Sequence, residues 1–240
     1  PGEQAALPPD EVHVWRADIA PPGPKHTWPG LSDGDAMWCA HFRDPQRRHQ
    51  ACAGRALLWH ALARYIPQKL DTISVLQSNG AKPLLWEKDS PSRIQFSIAH
   101  TNDLVLCAFA QSNPLGVDVE CIRPRAHMKR IAARVFTKRE SATIQDLPFE
   151  CQAAAFYRCW ASKEAFLKAS GTANLLQLSQ VETFSMLPGE NPWRQTCGEG
   201  QARQIWSFFS FEPKPSYAAT CAVQGIPSGW RFWHATFPNP

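Results

Sequence analysis

Residues 93–122 read RIQFSIAHTNDLVLCAFAQSNPLGVDVECI and contain three successive segments with the composition of β-strands. The first two, RIQFSIAH and LVLCAFA, are joined by His100-Thr101-Asn102-Asp103, which is typical of a hairpin turn. The third, LGVDVECI, begins directly after Asn113-Pro114, which is a turn signal. Strands that follow one another this closely indicate a sheet.

Helices are predicted on both sides of these strands. Asp44 is a suitable N-cap for one helix, and Pro67 ends it. The segment TKRE, Thr137–Glu140, is a capping box that begins a second helix. A longer helix is predicted over residues 150–170, and Gly171 suits the position after its end. Strand-like segments follow, so the order of elements predicts an α+β protein.

The two ends of the chain contain a weak internal similarity. DLVLCAFA, residues 103–110, resembles SYAATCAV, residues 216–223, and each half has a helix followed by strands. Such an echo is compatible with a duplicated α+β unit. We therefore expect an N-terminal half over residues 1–112 and a C-terminal half over residues 113–240.

The composition describes a globular protein with a mildly basic charge. The chain has 240 residues, of which 44% are hydrophobic and 19% charged, and its formal net charge is +4. No run of Lys and Arg suggests nucleic-acid binding, and the longest apolar run is too short to span a membrane. Eight cysteines without a C-x-x-C pair favour free thiols in a reducing compartment. No signal peptide is visible, so we expect a cytoplasmic protein.

Two acids interrupt the strand LGVDVECI. Asp118 and Glu120 point to the same face of a strand, because side chains alternate, and their Cα atoms would lie about 7 Å apart. Two carboxylates at this spacing can converge on one cation, and Mg²⁺ prefers carboxylate, water and phosphate oxygens. For an isolated pair, two solvated acids on an exposed strand face are the simpler interpretation.

A second segment, CWASKEAFLKASG over residues 159–171, contains further residues that could bind a metal or a phosphate. Trp160, Glu164 and Lys168 fall on one helical face, where Glu164 could be a third carboxylate for the same metal. The lysines of this helix could bind phosphate, although an ordinary surface Glu–Lys pair is the alternative.

Upstream, His100 follows a strand at the start of a turn and could face an anion, and Lys82-Pro83 is a rigid, extended piece of chain. Arg48 and Arg55 are seven residues apart and share a helical face, where two solvated arginines are the simpler interpretation.

Together these segments resemble the 4′-phosphopantetheinyl transferases, of the monomeric type that activates surfactin synthetase. The hallmark G-[IV]-D-[IV]-E is matched by GVDVE at residues 116–120, and [FW]-x-x-K-E-[AS]-x-x-K is matched by WASKEAFLK at residues 160–168. The weaker motifs K-P and F-S-x-x-H are present at Lys82-Pro83 and at residues 96–100. The resemblance covers about residues 40–225.

The resemblance implies a pseudo-dimer of two similar α+β halves, with the active site in the cleft between them. It implies transfer of 4′-phosphopantetheine from coenzyme A to a serine of an apo carrier protein, acyl or peptidyl, with release of adenosine 3′,5′-bisphosphate. The partner would dock near the helix that follows RVFTKRE, and we expect a monomer.

The resemblance also implies roles for individual residues. Mg²⁺, or Mn²⁺ in its place, would be held by three carboxylates, and the cofactor end and phosphates of coenzyme A would be bound by basic groups. The metal ligands are Asp118, Glu120 and Glu164; the coenzyme A ligands are Arg55, Lys82, Pro83, His100, Lys163 and Lys168; and the catalytic residues are Asp118, Glu164 as candidate base, and Lys168.

Two departures from the family pattern and three rival functions accompany this interpretation. Ala99 stands where many relatives have serine, and Ala81 is an insertion within the usual G-K-P motif. One rival is a degenerate module that binds coenzyme A or a carrier protein without transfer, which the three intact acids disfavour. A Mg²⁺-dependent phosphohydrolase is the second, and a purely structural protein is the third.

Overall fold

The computed structural model describes residues 6–21, 28–76, 82–88, 90–124, 126, 128–171, 178–183, 191–197 and 203–237. The chain divides into two compact units, of which the first comprises Pro1–Ser112 and Ser228–Pro240 and the second comprises Asn113–Pro227. Both units contain helices and sheets, so the α+β class predicted from the sequence is confirmed. Within the described residues, no helix is both long and apolar enough to cross a membrane.

The first unit contains a four-stranded sheet in the order β11-β1-β6-β5 and a small sheet in the order β2-β3-β4. Its elements are β1 (Glu11–Asp18), α1 (Asp33–Ala40), α2 (Pro45–Tyr65), a 3₁₀ helix (Pro67–Thr72), β2 (Ile73–Leu76), β3 (Leu84–Glu87), β4 (Ser90–Pro91), β5 (Ile94–Thr101), β6 (Leu104–Gln111) and β11 (Gly229–Ala235).

The local signals in the first unit are found where they were predicted. The hairpin β5–β6 turns at Asn102, which adopts a positive φ of 48°, and Thr101 pairs with Leu104. Asp44 caps α2 by accepting a hydrogen bond from the Arg47 backbone N–H at 2.7 Å. The core forms where the apolar stripe of α2 packs on the larger sheet, and its central members are Trp15, Leu57, Leu58, Leu62, Phe96 and Phe109.

The C-terminal strand differs from the sequence interpretation. Residues 228–240 were assigned to the second half, whereas β11 belongs to the first unit. There it pairs in parallel with β1, from Glu11 opposite Gly229 to Ala17 opposite Ala235. Trp233 of β11 also stacks on Trp15 of β1, with 5.4 Å between ring centroids and 14° between planes. A parallel pair formed by the two ends of a chain leaves no local pattern in the sequence.

The second unit contains one sheet in the order β7-β10-β9-β8, covered on one face by helices. Its elements are β7 (Leu115–Cys121), α3 (Met128–Val135), α4 (Lys138–Gln145), α5 (Phe149–Ser170), β8 (Trp193–Cys197), β9 (Gln204–Phe211) and β10 (Tyr217–Gln224). The capping box before α4 is present in both directions between Thr137 and Glu140. Gly171 ends α5 with a left-handed φ of 68°.

All eight cysteines of the chain are free, and most of them are buried.

Candidate functional site: an acid cluster between β7 and α5

Gly116 determines how closely β7 and α5 approach each other. A Cβ atom at this position would lie 2.1 Å from the carbonyl oxygen of Ala165 and 2.6 Å from the backbone nitrogen of Ala169. No side chain fits there, so the glycine allows the helix to rest directly on the strand. Because side chains alternate along β7, residues 118 and 120 face the same helix as Gly116. The GVDVE motif therefore contains both the glycine that allows the close contact with α5 and the two acids that face this helix.

Asp118 is the more buried of the two acids on β7. Lys168 of α5 donates a hydrogen bond to Asp118 Oδ1 at 2.7 Å and a second one to the Val117 carbonyl oxygen at 3.2 Å. The other carboxylate oxygen, Oδ2, is buried and has no hydrogen-bond partner in the described part of the chain. Burial raises the pKa of Asp118 above its usual value, and the charge of Lys168 opposes this shift.

Glu120 lies two residues further along β7 and contacts Trp160 of α5. The indole N–H of Trp160 donates a hydrogen bond to Glu120 Oε1 at 3.0 Å. Burial, followed by repulsion from Asp118, raises the pKa of Glu120 to about 7. The hydrogen bond from Trp160 and the charge of Lys168 lower the same pKa, because both favour the carboxylate anion.

Glu164 completes the group from the helix side. Its pKa is raised by burial and then by the charge of Asp118, while Lys168 lowers it. The negative charges of Asp118 and Glu164 both raise the pKa of Glu120. The structure thus brings together three predicted acids and one predicted lysine, which we call the acid cluster: Asp118, Glu120, Glu164 and Lys168.

The acid cluster fits a hard divalent cation in its chemistry. Its ligand atoms are carboxylate oxygens, which Mg²⁺ and Mn²⁺ prefer. Burial is the main reason that the pKa of each acid is raised, and repulsion from Asp118 adds to the shift for Glu120 and Glu164. The orphaned Oδ2 of Asp118 is an acceptor that a cation would satisfy. Among the described residues, however, no three His, Cys, Asp or Glu side chains already stand in a metal-binding arrangement. The ammonium group of Lys168 contacts Asp118, and its charge lowers the pKa of all three acids.

Lys163 does not join the acid cluster, although the sequence interpretation placed it on the phosphates of coenzyme A. Its side chain is completely buried, and its ammonium group lies 2.8 Å from Glu140 Oε2. It also donates hydrogen bonds to the carbonyl oxygens of Leu178 and Val181. These partners use all three N–H donors of an ammonium group, so Lys163 has a structural role in attaching α5 to its neighbours.

The remaining predicted residues belong to the first unit. Arg55 is buried between Asp35 and the ring of Trp38, with Nε 3.6 Å from Asp35 Oδ1 and the guanidinium carbon 4.4 Å from the ring centroid. The Nη1 atom of Arg55 is buried without a hydrogen-bond partner among the described residues. Arg55 also lines a groove with a volume of about 840 Å³.

The other three predicted ligands of coenzyme A lie on or beside strands of the first unit. Lys82 and Pro83 are partly buried and directly precede β3. His100 is exposed and lies near the end of β5. Ala99, the departure from the family pattern, is buried. The insertion at Ala81 lies outside the described residues.

The acid cluster lies inside a region of the chain that matches a known family. Residues 114–222 match the model of the 4′-phosphopantetheinyl transferase superfamily. The chain is also similar to the 4′-phosphopantetheinyl transferase HetI of Nostoc sp. (strain PCC 7120 / SAG 25.82 / UTEX 2576). The two are 30% identical over 229 residues, which cover 94% of this chain and 92% of the relative. This chain belongs to the 4′-phosphopantetheinyl transferase superfamily.

Two further members of the superfamily match over shorter lengths. The 4′-phosphopantetheinyl transferase Sfp of Bacillus subtilis (strain 168) is 29% identical over 148 residues, which are 62% of either chain. The L-aminoadipate-semialdehyde dehydrogenase-phosphopantetheinyl transferase of Mus musculus is 27% identical over 204 residues, which are 79% of this chain and 65% of the relative. The family resemblance stated from GVDVE and WASKEAFLK is confirmed, and the protein is an enzyme of the transferase class.

The second unit also has an apolar groove that the sequence did not predict. It has a volume of about 450 Å³ and lies between α3, α4 and the first turns of α5. Phe149 at its edge is 87% exposed, which is unusual for a phenylalanine. Its apolar lining includes Met128, Ala132, Ile144, Phe149, Ala153 and Phe156.

Sequence reasoning missed one buried acid, Asp35, and the ion pair of a second, Glu140. Asp35, the partner of Arg55, accepts hydrogen bonds from Ser32 and from the indole N–H of Trp59. The pattern Ser32-x-x-Asp35 is a capping box and could have identified it. Glu140 was identified as a helix cap, but its ion pair with Lys163 spans two helices and has no local signal.

Proposed function

We propose that this protein transfers 4′-phosphopantetheine from coenzyme A to the serine hydroxyl of an apo carrier protein, acyl or peptidyl, and releases adenosine 3′,5′-bisphosphate. The observation that carries the proposal is the acid cluster, in which three carboxylates and one lysine converge from the two family motifs. The similarity to a named transferase over almost the whole chain supports it.

The reaction replaces one phosphorus–oxygen bond by another. The serine oxygen attacks the phosphorus that carries the pantetheine, and the bond from that phosphorus to the bridging oxygen breaks. The bridging oxygen leaves with the electron pair as part of adenosine 3′,5′-bisphosphate, and the serine proton passes to a base. Phosphoryl transfer of this kind depends on positioning and on neutralising charge.

Asp118, Glu120 and Glu164 are proposed to hold Mg²⁺, with Mn²⁺ as the substitute. A divalent cation bound there would neutralise the developing charge on the pyrophosphate oxygens. Lys168 already contacts Asp118, so its ammonium group is within reach of the same oxygens and can donate hydrogen bonds to the leaving group. Lys163 is left out of this set because its donors are used by Glu140 and two carbonyl oxygens.

Glu164 is proposed as the base that accepts the serine proton, directly or through a water molecule. Its raised pKa, caused by burial and by the charge of Asp118, makes it a stronger base than an exposed glutamate. One of its two oxygens can serve the cation while the other accepts the proton. Glu164 comes from α5, opposite the strand that supplies the other acids.

The four residues of the first unit remain proposals for binding coenzyme A. Lys82 and Pro83 are proposed for the adenine end, and the exposed His100 for the phosphates. Arg55 is proposed for the 3′-phosphate end, but its charge is already shared with Asp35, and its Nη1 is buried without a hydrogen-bond partner among the described residues. Its contribution should therefore be that of a hydrogen-bond donor more than that of a full positive charge.

The apolar groove between α3, α4 and α5 is the proposed docking surface for the carrier protein. It adjoins α4, where the family resemblance predicts the partner, and the exposed ring of Phe149 offers an anchor. The net charge of +4 favours an acidic partner. The protein is proposed to act as a monomer.

The proposal is tested by intact-mass spectrometry of apo carrier proteins incubated with this protein, coenzyme A and Mg²⁺. We expect a gain of one phosphopantetheine group that disappears with EDTA. Asp118→Ala, Glu164→Ala and Lys168→Ala should each reduce the rate by orders of magnitude. Asp146→Asn is the matched control, because Asp146 is an exposed acid of the same unit.

The same assay separates the alternatives. Binding of coenzyme A with no mass gain on several carriers would favour the degenerate binding module. Release of phosphopantetheine without any carrier would favour a phosphohydrolase. Full activity of Asp118→Ala or Glu164→Ala would contradict the roles assigned to the acid cluster.

A further inference from the structure

Trp160 lies at the edge of the acid cluster, where a stacked ring and a hydrogen bond restrain its side chain. Its ring stacks on that of Phe156, one turn earlier on α5, with 6.4 Å between centroids and 8° between planes. Its indole N–H donates to Glu120 Oε1 at 3.0 Å. A tryptophan fixed by packing has few accessible rotamers, so this donor occupies a defined position relative to β7.

Glu120 needs such a fixed donor more than Asp118 does. Asp118 is the more buried acid, it has a short side chain, and Lys168 contacts it directly at 2.7 Å. Glu120 is half-buried and has one more rotatable bond, and its side chain accepts a hydrogen bond from Trp160. A glutamate without an orienting partner would lose more conformational entropy when it binds a cation.

We propose that Trp160 is a positioning residue that orients the carboxylate of Glu120 for a divalent cation. The indole N–H occupies one lone-pair direction of Oε1 and leaves the other oxygen, Oε2, available to a cation. This inference rests on the proposed function, because it assumes that the acid cluster binds Mg²⁺ or Mn²⁺. Partners that orient a metal-binding carboxylate typically contribute 10–100-fold to metal affinity.

Trp160→Phe tests the inference, because phenylalanine keeps an aromatic ring against Phe156 and removes the N–H. The measurement is Mn²⁺ binding in the presence of coenzyme A, followed by electron paramagnetic resonance of the free ion, with no carrier protein present. We expect the Kd for Mn²⁺ to rise by about 10-fold or more. Circular dichroism and thermal unfolding of each variant establish that it is folded.

Trp15→Phe is the matched control. Trp15 also has a stacked ring, that of Trp233, and donates its indole N–H to the Tyr65 hydroxyl at 2.6 Å, but it does so in the core of the first unit. Its loss should leave the Kd for Mn²⁺ unchanged. An equal weakening by both variants would overturn the inference, because it would reflect a general effect of losing a tryptophan.

A double-variant cycle shows whether Trp160 acts through Glu120. If it does, Trp160→Phe should change the Kd little once Glu120→Gln is present, so the two effects should not add. Additive effects, or a Trp160→Phe protein that binds Mn²⁺ like the wild type, would overturn the positioning role.

The outcome for Asp118→Ala separates this inference from the proposed function. If Asp118→Ala abolishes Mn²⁺ binding while Trp160→Phe does not alter it, only the role of Trp160 fails. If the wild-type protein binds no Mn²⁺, both the role of Trp160 and the metal site of the proposed function fail.

Discussion

Glu120 is buried beside another acid, Asp118, and this environment suits it for binding a cation. The same environment destabilises its carboxylate form in the folded protein when no cation is bound. Its pKa is raised from 4.5 to about 7, first by burial and then by Asp118. Between these two pH values the unfolded chain releases the proton while the folded protein retains it. The folded state binds more protons, so stability falls as pH rises through this window.

We therefore predict that the protein in EDTA loses stability between about pH 4.5 and pH 8, and that Glu120→Gln removes part of this loss. The difference between the proteins should be small at pH 4.5 and reach up to about 3 kcal/mol at pH 8. Urea unfolding at several pH values measures it. A Glu120→Gln protein that is less stable than the wild type at pH 8 would contradict the assigned cause.

The members of the acid cluster could be grouped from the sequence because they lie in two short periodic motifs. Asp118 and Glu120 share a strand face by alternation, and Trp160, Glu164 and Lys168 share a helical face by 3.6-residue spacing. Lys163 was misplaced because sequence spacing gives the direction of a side chain but not what covers it. Its partner Glu140 comes from another helix, and only the packed structure brings the two together.

At the scale of the helix, Lys163 distinguishes a structural ion pair from a substrate contact. Replacing it by methionine would leave the carboxylate of Glu140, which is 3% exposed, without its buried countercharge. Breaking one side of such a pair typically costs about 3–5 kcal/mol. We predict that Lys163→Met lowers the free energy of unfolding by this amount, measured by urea denaturation.

The double variant Lys163→Met with Glu140→Gln should regain part of the lost stability, because no unpaired charge then remains. Loss of transfer activity by Lys163→Met without any loss of stability would instead support a role on the phosphates of coenzyme A. Lys168→Met is the comparison: its ammonium group is partly exposed, so its replacement should reduce transfer with a smaller effect on stability.

The contact between β7 and α5 is the second feature that belongs to the scale of elements. Gly116→Ala would place a methyl group 2.1 Å from the Ala165 carbonyl oxygen, and neither backbone can move without displacing the acids on β7. We predict destabilisation of about 3 kcal/mol or more, with loss of Mn²⁺ binding at temperatures where the protein is still folded. Thermal unfolding and Mn²⁺ titration measure the two effects.

Gly34→Ala is the matched control for this substitution. Gly34 lies in α1, and a Cβ there would meet only the Ser32 hydroxyl at 3.7 Å, an ordinary contact. Because alanine has a higher helix propensity than glycine, stability should stay equal or rise slightly. Similar losses for both alanine variants would show that the close approach at Gly116 is not the cause.

At the scale of the whole molecule, the division of the chain follows strand pairing more than sequence order. The boundary near residue 112 was predicted from the internal similarity, and the contacts divide the chain at Ser112 and Asn113. The assignment of residues 228–240 to the first unit could not be predicted, because β1 and β11 pair across almost the full length of the chain. Local patterns carry no information about such distant partners.

Removing Ser228–Pro240 tests which unit these residues stabilise. In the shortened chain, β1 becomes an edge strand, and Trp15, which is 1% exposed, loses its stacked partner Trp233. We predict that amide hydrogen exchange accelerates in β1, β6 and α2, while β7, β9, β10 and α5 keep their protection. If protection were lost mainly in the second unit, the C-terminal strand would belong functionally to that half, as the sequence order alone suggests.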